Sequence, residues 1–287
     1  MRGRRAGGKT GQQKIAARGH VRSGTGLEAW WRMTNYRLDI AYVGTRYEGW
    51  QIQPGRQTIQ GVVQAALESL YGERIRLVGS GRTDAGAHAM GQVASYRAPA
   101  RLPEDRLPLI LNSRLPADIR VLRAARVPAG FHAQRSARSK LYRYQVFNGR
   151  ILNPFEEPFY HRVFRPLDVP AMTAAARAFL GRHDFTSFCA HAVAEEDHVR
   201  EVYRCEIAKR GARITFAVEA NGFLHHMVRN MVGTLLEVGQ GKRVPADIPG
   251  ILAARDRRGA GPTAPACGLF LVRVWYRRRP SRGIAGM

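Results

Sequence analysis

The chain has 287 residues, with 46 Lys and Arg against 22 Asp and Glu, a formal net charge of +24 at pH 7. That length suits one large domain or two of ordinary size, and 45% hydrophobic with 24% charged residues excludes wholesale disorder. The positive excess favours a polyanionic partner, because basic side chains release counterions from phosphates. A GC-rich coding sequence can explain why nearly all of it is arginine, but not its sign. Cys189, Cys205 and Cys267 are odd in number and widely spaced. They form neither a disulfide framework nor a zinc pattern, so the expected compartment is a reducing cytoplasm. No apolar run approaches the ~18 residues of a membrane span, and the basic N-terminus lacks the apolar stretch of a signal peptide.

Residues 1 to about 32 hold eight Lys and Arg against one acid, Glu28. They read as a disordered basic tail, dispensable or an artefact of start assignment, since Met33 directly precedes the first strand-like run. Tyr36 to Tyr42 alternates with Leu38, Ile40 and Tyr42 on one face, a strand. Thr58 can cap a helix whose apolar positions are Ile59, Val62, Val63, Ala66, Leu67 and Leu70. Proline-marked connections occupy Arg101 to Pro116, and Asp118 to Arg126 reads as a strand. Leu141 to Phe147 alternates again, and Asp168 to Leu180 has a helical stripe stopped by Gly181. Val199–Ile207 and Ala212–Glu219 read as strands with a Lys209-Arg210-Gly211 turn between them. The apolar spacing predicts a long helix over Gly222–Val238, then a short one near Ile248–Arg255 and a last strand over Leu269–Tyr276. Gly239-Gln240-Gly241-Lys242 lacks P-loop spacing and reads as a helix stop. The pattern argues for an α+β fold with helices on one face of a mostly antiparallel sheet.

Chemistry is concentrated in Ser80-Gly81-Arg82-Thr83-Asp84-Ala85-Gly86-Ala87-His88. The run Ile75–Val78 leads in and Gln92–Tyr96 leads out, two strands displaying a loop. An Asp in a glycine-containing loop is ordinarily a turn former. Arg82 beside Asp84 shifts the reading toward a site, since a guanidinium can fix the carboxylate through charge-assisted hydrogen bonds. The residues alone support one candidate carboxylate.

Arg82 to His88 with Gly91-Gln92-Val93 resembles the active-site signature of the TruA family of tRNA pseudouridine synthases. Further resemblances follow in order: Tyr42 to Gln53, Thr58-Ile59-Gln60-Gly61, Leu111 to Pro116, Phe131-His132-Ala133, Lys140-Leu141-Tyr142-Arg143-Tyr144, His183 to Phe188, Asn221 to Asn230 and Gly268 to Leu271. The set spans about Tyr36 to Tyr276. It implies two related α/β halves whose sheets join, with the active-site cleft between them: a basic tail over 1–34, halves over 35–135 and 136–277, and a second tail over 278–287. It implies an isomerase that turns uridine into pseudouridine at positions 38, 39 and 40 of tRNA, acting as a homodimer in the cytoplasm. That reaction calls for no redox step, phosphate energy, metal or cofactor.

By the same resemblance Asp84 is the essential carboxylate and Tyr142 the active-site tyrosine against the base. Arg82 pairs with Asp84 or contacts phosphate, and Leu269 or Leu271 packs on the other side of the base. Without the family, Tyr142 and both leucines read as core residues on strands. His225 and His226 invite a metal, but helix neighbours diverge by about 100° and no third ligand has suitable spacing, so core or RNA-contact histidines are expected. Cys189, His191, Asp197 and His198 read as a polar loop. Ala87, Gln134-Arg135 and Cys267 depart from the family pattern without touching its chemistry. A non-catalytic RNA binder on the same scaffold is the alternative, and Asp84 separates the two. A metal-dependent nuclease lacks its carboxylate cluster.

Overall fold

Alternating apolar residues build one large sheet, described by a computed structural model over residues 33–190 and 197–277. The expected tails at 1–32 and 278–287, and His191, lie outside the described residues. The strands are β1 (Met33–Tyr42), β2 (Val78–Gly79), β3 (His88–Pro99), β4 (Ile119–Val127), β5 (Ser139–Phe147), β6 (His161–Arg162), β7 (Gly181–Asp184), β8 (Val199–Arg210), β9 (Arg213–Ala220) and β10 (Leu269–Trp275). Their order is β4-β1-β3-β10-β5-β9-β8-β7, with β2 beside β3 and β6 beside β5. Pairings are antiparallel except β3–β10 and β5–β6. The strands of residues 33–127 thus lie on one side and those of 139–220 on the other, with β10 closing the seam where Phe270 pairs His88 and Leu271 pairs Ala89.

Helix α1 (Ile59–Tyr71) starts where Thr58 accepts a hydrogen bond from the Gly61 amide and stops at Gly72, whose φ of 70° is the left-handed cap. Helix α2 (Leu107–Asn112) falls within what reads as a proline-marked connection, its Pro108 standing in the first turn where proline is tolerated. Helix α3 (Val169–Ala176) is capped by Asp168 and tightens into a 3₁₀ turn over Arg177–Phe179. Helices α4 (Met227–Gly239) and α5 (Asp247–Ala254) follow. One core joins the inward strand faces to the buried residues of α1, α3, α4 and α5.

The long helix departs most from expectation. It begins at Met227 rather than Gly222. The Asn221 amide donates to the Glu201 carbonyl (3.1 Å), and the Asn221 side chain accepts from the Glu201 amide (3.0 Å). His226 takes φ 59°, outside any continuing helix. Phe223 and Leu224 have helical spacing, but strand pairing and ring packing override it, Phe223 meeting Tyr142 edge-on at 4.9 Å. The two-residue β6 and four-residue β7 carry too short a pattern to be legible.

Candidate active site

The Asp84 loop is held by backbone from both sides. The Trp50 amide donates to Thr83 O (3.0 Å), Gly86 to Tyr47 O (3.2 Å), and Ala87 to Asp84 O (3.1 Å). Tyr42 and Thr83 share a hydroxyl hydrogen bond of 2.7 Å. Gly49 has φ 82°, and a Cβ there would lie 2.6 Å from the Thr83 carbonyl, so only glycine fits under the loop. Gln92 accepts from Ser80 (2.7 Å) and donates to Gly81 O (2.9 Å). His88 is buried: Gly44 N–H donates to its Nδ1 (3.0 Å), which leaves Nε2–H for the Cys267 and Pro158 carbonyls at 3.0 and 3.1 Å. One imidazole therefore pins the loop to residues far along the chain. Burial lowers its pKa, which suits the neutral tautomer that this wiring needs.

Asp84 opens into a cleft of about 660 Å³, lined also by Arg82, Lys140, Tyr142, Arg200, Leu269 and the segment Phe223–Arg229. Arg229, on α4, donates from Nη1 to Asp84 Oδ2 at 2.8 Å, and its Nε is held by Ala264 O at 2.7 Å. His226 Nε2 stands 3.6 Å from Asp84 Oδ1. A slightly larger groove, about 740 Å³, is lined by Arg76, Arg97, His132 and Arg135 with no carboxylate. Gln134 borders both. Of these two only the first holds an acid; a third groove, about 640 Å³, holds Asp184, whose carboxylate is engaged by Thr186 and Arg255. The first is therefore the candidate reaction centre, and the second extends its positive surface.

The site residues expected from sequence are brought together, with one partner exchanged. Arg82 is exposed and makes no ion pair with Asp84; Arg229 makes that pair instead. Arg82 nevertheless borders the cleft. Tyr142 is buried on β5, and desolvation, then Tyr42 and Asp84, push its phenol far above the usual range, so it stays neutral. Leu269 lines the cleft; Leu271 is fully buried and does not. The expectation that His225 and His226 lack a third ligand is corrected. They precede the helix, their rings approach to 3.8 Å, and with Asp84 they offer three ligand atoms within 4.8 Å of one another. Arg229 already holds one oxygen of that carboxylate, so a cation there would face a guanidinium. Asp197 accepts from the Val199 amide, consistent with a polar loop, while His198 is buried beside it.

Sequence reasoning missed Arg229 and Lys140 as site residues. Arg229 stands 145 positions from Asp84, and only the motif Asn221–Asn230 hinted at it. Lys140 was visible as the first residue of the Lys-x-Tyr-x-Tyr motif, two before Tyr142 and hence on its face of the strand.

A cleft with one carboxylate, a neutral tyrosine and an arginine-rich rim describes an enzyme for a nucleic-acid substrate rather than a simple binder. The profile of the tRNA pseudouridine synthases matches residues 40–134 and 175–277. A tRNA pseudouridine synthase A of Moorella thermoacetica is 50% identical over 242 residues, covering 84% of this chain and 98% of that protein. One from Halalkalibacterium halodurans is 47% identical over 239 residues, covering 83% and 91%. A third, from Myxococcus xanthus, is 44% identical over 249 residues, covering 86% and 94%. The chain belongs to the tRNA pseudouridine synthase family, in its TruA branch.

Proposed function

We propose that this protein isomerises uridine to pseudouridine at positions 38, 39 and 40 in the anticodon stem-loop of tRNA, with Asp84 as its essential carboxylate. The isomerase class follows from family membership; the positions follow from the resemblance of the motifs. The observation that carries the site is Asp84 held by Arg229 in a cleft that Tyr142 and Leu269 also line. The reaction breaks N1–C1′, turns the base and joins C5 to C1′; the C5 proton leaves and N1 ends protonated, so composition is unchanged. Asp84 can serve by attacking C1′, by adding to C6, or by taking a ribose proton. Tyr142 offers the aromatic face that an extruded base needs, and Leu269 the apolar wall. Arg82, on the rim, is suited to the RNA backbone.

We place the cleft between halves 35–135 and 136–277, and the working enzyme as a cytoplasmic homodimer. Among the described residues no helix is long and apolar enough to cross a membrane. Purified protein incubated with unmodified tRNA, followed by chemical mapping, should yield pseudouridine at 38–40. Pseudouridine confined to other positions would refute the positional assignment, and none at all would return the non-catalytic binder.

A further inference from the structure

We propose that Lys140 is the phosphate-binding cation of the cleft, gripping the RNA backbone next to the target uridine, and that this contact makes RNA binding sensitive to pH. The inference rests on reading the cleft as the RNA site. Lys140 sits on β5 two residues from Tyr142, so both side chains project from the same face into the cleft. Its ammonium packs on the Asp84 loop, where a Cβ on Gly81 would lie 3.0 Å from Nζ.

The groups facing Lys140 do not neutralise it. Arg82 and Asp84 border the cleft from the loop, Arg200 from β8, and His225, His226 and Arg229 from the opposite wall. Asp84 is committed to Arg229. Glu219, on β9, bonds the Ser139 hydroxyl at 2.8 Å, one residue out of phase with Lys140. Among the described residues Lys140 forms no ion pair. A half-buried cation with no carboxylate partner among the described residues is a standing place for an anion, and the anion that a uridine in RNA brings is its phosphodiester.

The residue type adds a second reason. Positive charge in this chain is almost wholly arginine, with lysine only at 9, 14, 140, 209 and 242. Arginine stays charged at any working pH, whereas a desolvated lysine does not. Burial, then the charge of Arg200, pulls Lys140 down to about 8. A bound phosphate favours the charged form and so raises that pKa. Affinity is then level below about pH 8 and weakens above it, by up to about tenfold per pH unit.

The test is equilibrium binding of unmodified tRNA to the full chain from pH 7.0 to 9.5 at constant ionic strength, with a salt titration at pH 7.0. Wild type should lose about tenfold or more in affinity across that range, and Lys140→Arg should lose clearly less, whatever the RNA itself contributes. Lys140→Met should bind weakly at pH 7.0, and its plot of log affinity against log salt should be shallower by about 0.7–0.9, the slope of one phosphate contact. Wild-type affinity and slope in Lys140→Met, or identical pH profiles for wild type and Lys140→Arg, would overturn the assignment. The second comparison does not depend on the methionine variant folding. Pseudouridine is assayed on the same wild-type preparation. Its absence defeats the proposed function; its presence with failed pH and salt tests defeats the role of Lys140 alone.

Discussion

The two walls of the cleft are built on different principles. The Asp84 wall is a pinned loop: its carbonyls and amides are taken by Trp50, Tyr47 and Ala87, its hydroxyl by Tyr42, and its far end by His88. The facing wall, Asn221–Arg229, is a bend between a strand and a helix, tied to β8 through Asn221 and entering α4 through the positive φ of His226. The first wall supplies the carboxylate and the second orients it with Arg229. A reactive group can thus be displayed by a rigid loop while its direction is set by an element distant in sequence.

The sharpest way to break this division is Asp84→Asn, which keeps the shape but can act neither as nucleophile nor as base. Turnover should fall by at least about 100-fold, with tRNA affinity and melting temperature near wild type. Retention of about a tenth of the activity would remove Asp84 from the chemistry.

Arg229→Gln should act next most strongly. Loss of a charge-assisted hydrogen bond of about 1.5–3 kcal/mol predicts a rate roughly 10- to 100-fold lower, and Arg229→Lys should recover part of it. Single-turnover rates at saturating tRNA measure this. An Arg82→Gln variant slower than Arg229→Gln in that assay would reverse the assignment of partners.

His88 sharpens the account of the pinned wall. Its neutral ring accepts from Gly44 and donates to Cys267 and Pro158, and burial lowers its pKa. The unfolded chain therefore binds the proton more readily than the folded one. The stabilising contribution is complete above pH 6.5 and is lost as pH falls through the depressed folded value. His88→Gln should destabilise by about 1–3 kcal/mol at pH 7.5 and flatten the loss between pH 7.5 and 5.0 in urea denaturation. Some slope will remain, because burial also lowers His161.

The smallest effect is expected from removing residues 1–32. The family match begins at residue 40, so turnover at near-physiological salt should change by less than about tenfold, or about 1.4 kcal/mol. A larger drop would give the basic segment a role.

What the sequence determined by itself was whatever local chemistry encodes. Period-2 alternation placed β1 and β5, Thr58 marked the start of α1, and the run Arg82–His88 marked the loop that carries the candidate carboxylate. Tyr142 and Leu269 were named through the TruA resemblance, and both line the cleft. Tertiary structure decided where α4 starts, because Phe223 and Leu224 fit a helical stripe equally well, and pairing of Asn221 with Glu201 together with packing of Phe223 on Tyr142 holds them out of it. It also decided which arginine meets Asp84. Proximity in sequence favoured Arg82, but a side chain two residues away on a tight loop points to solvent, while Arg229 is delivered across the cleft by the joined sheet and α4. Ion pairs separated by 145 residues leave no local pattern, because the strength of such a contact depends on distance in space and the chain records only distance along itself.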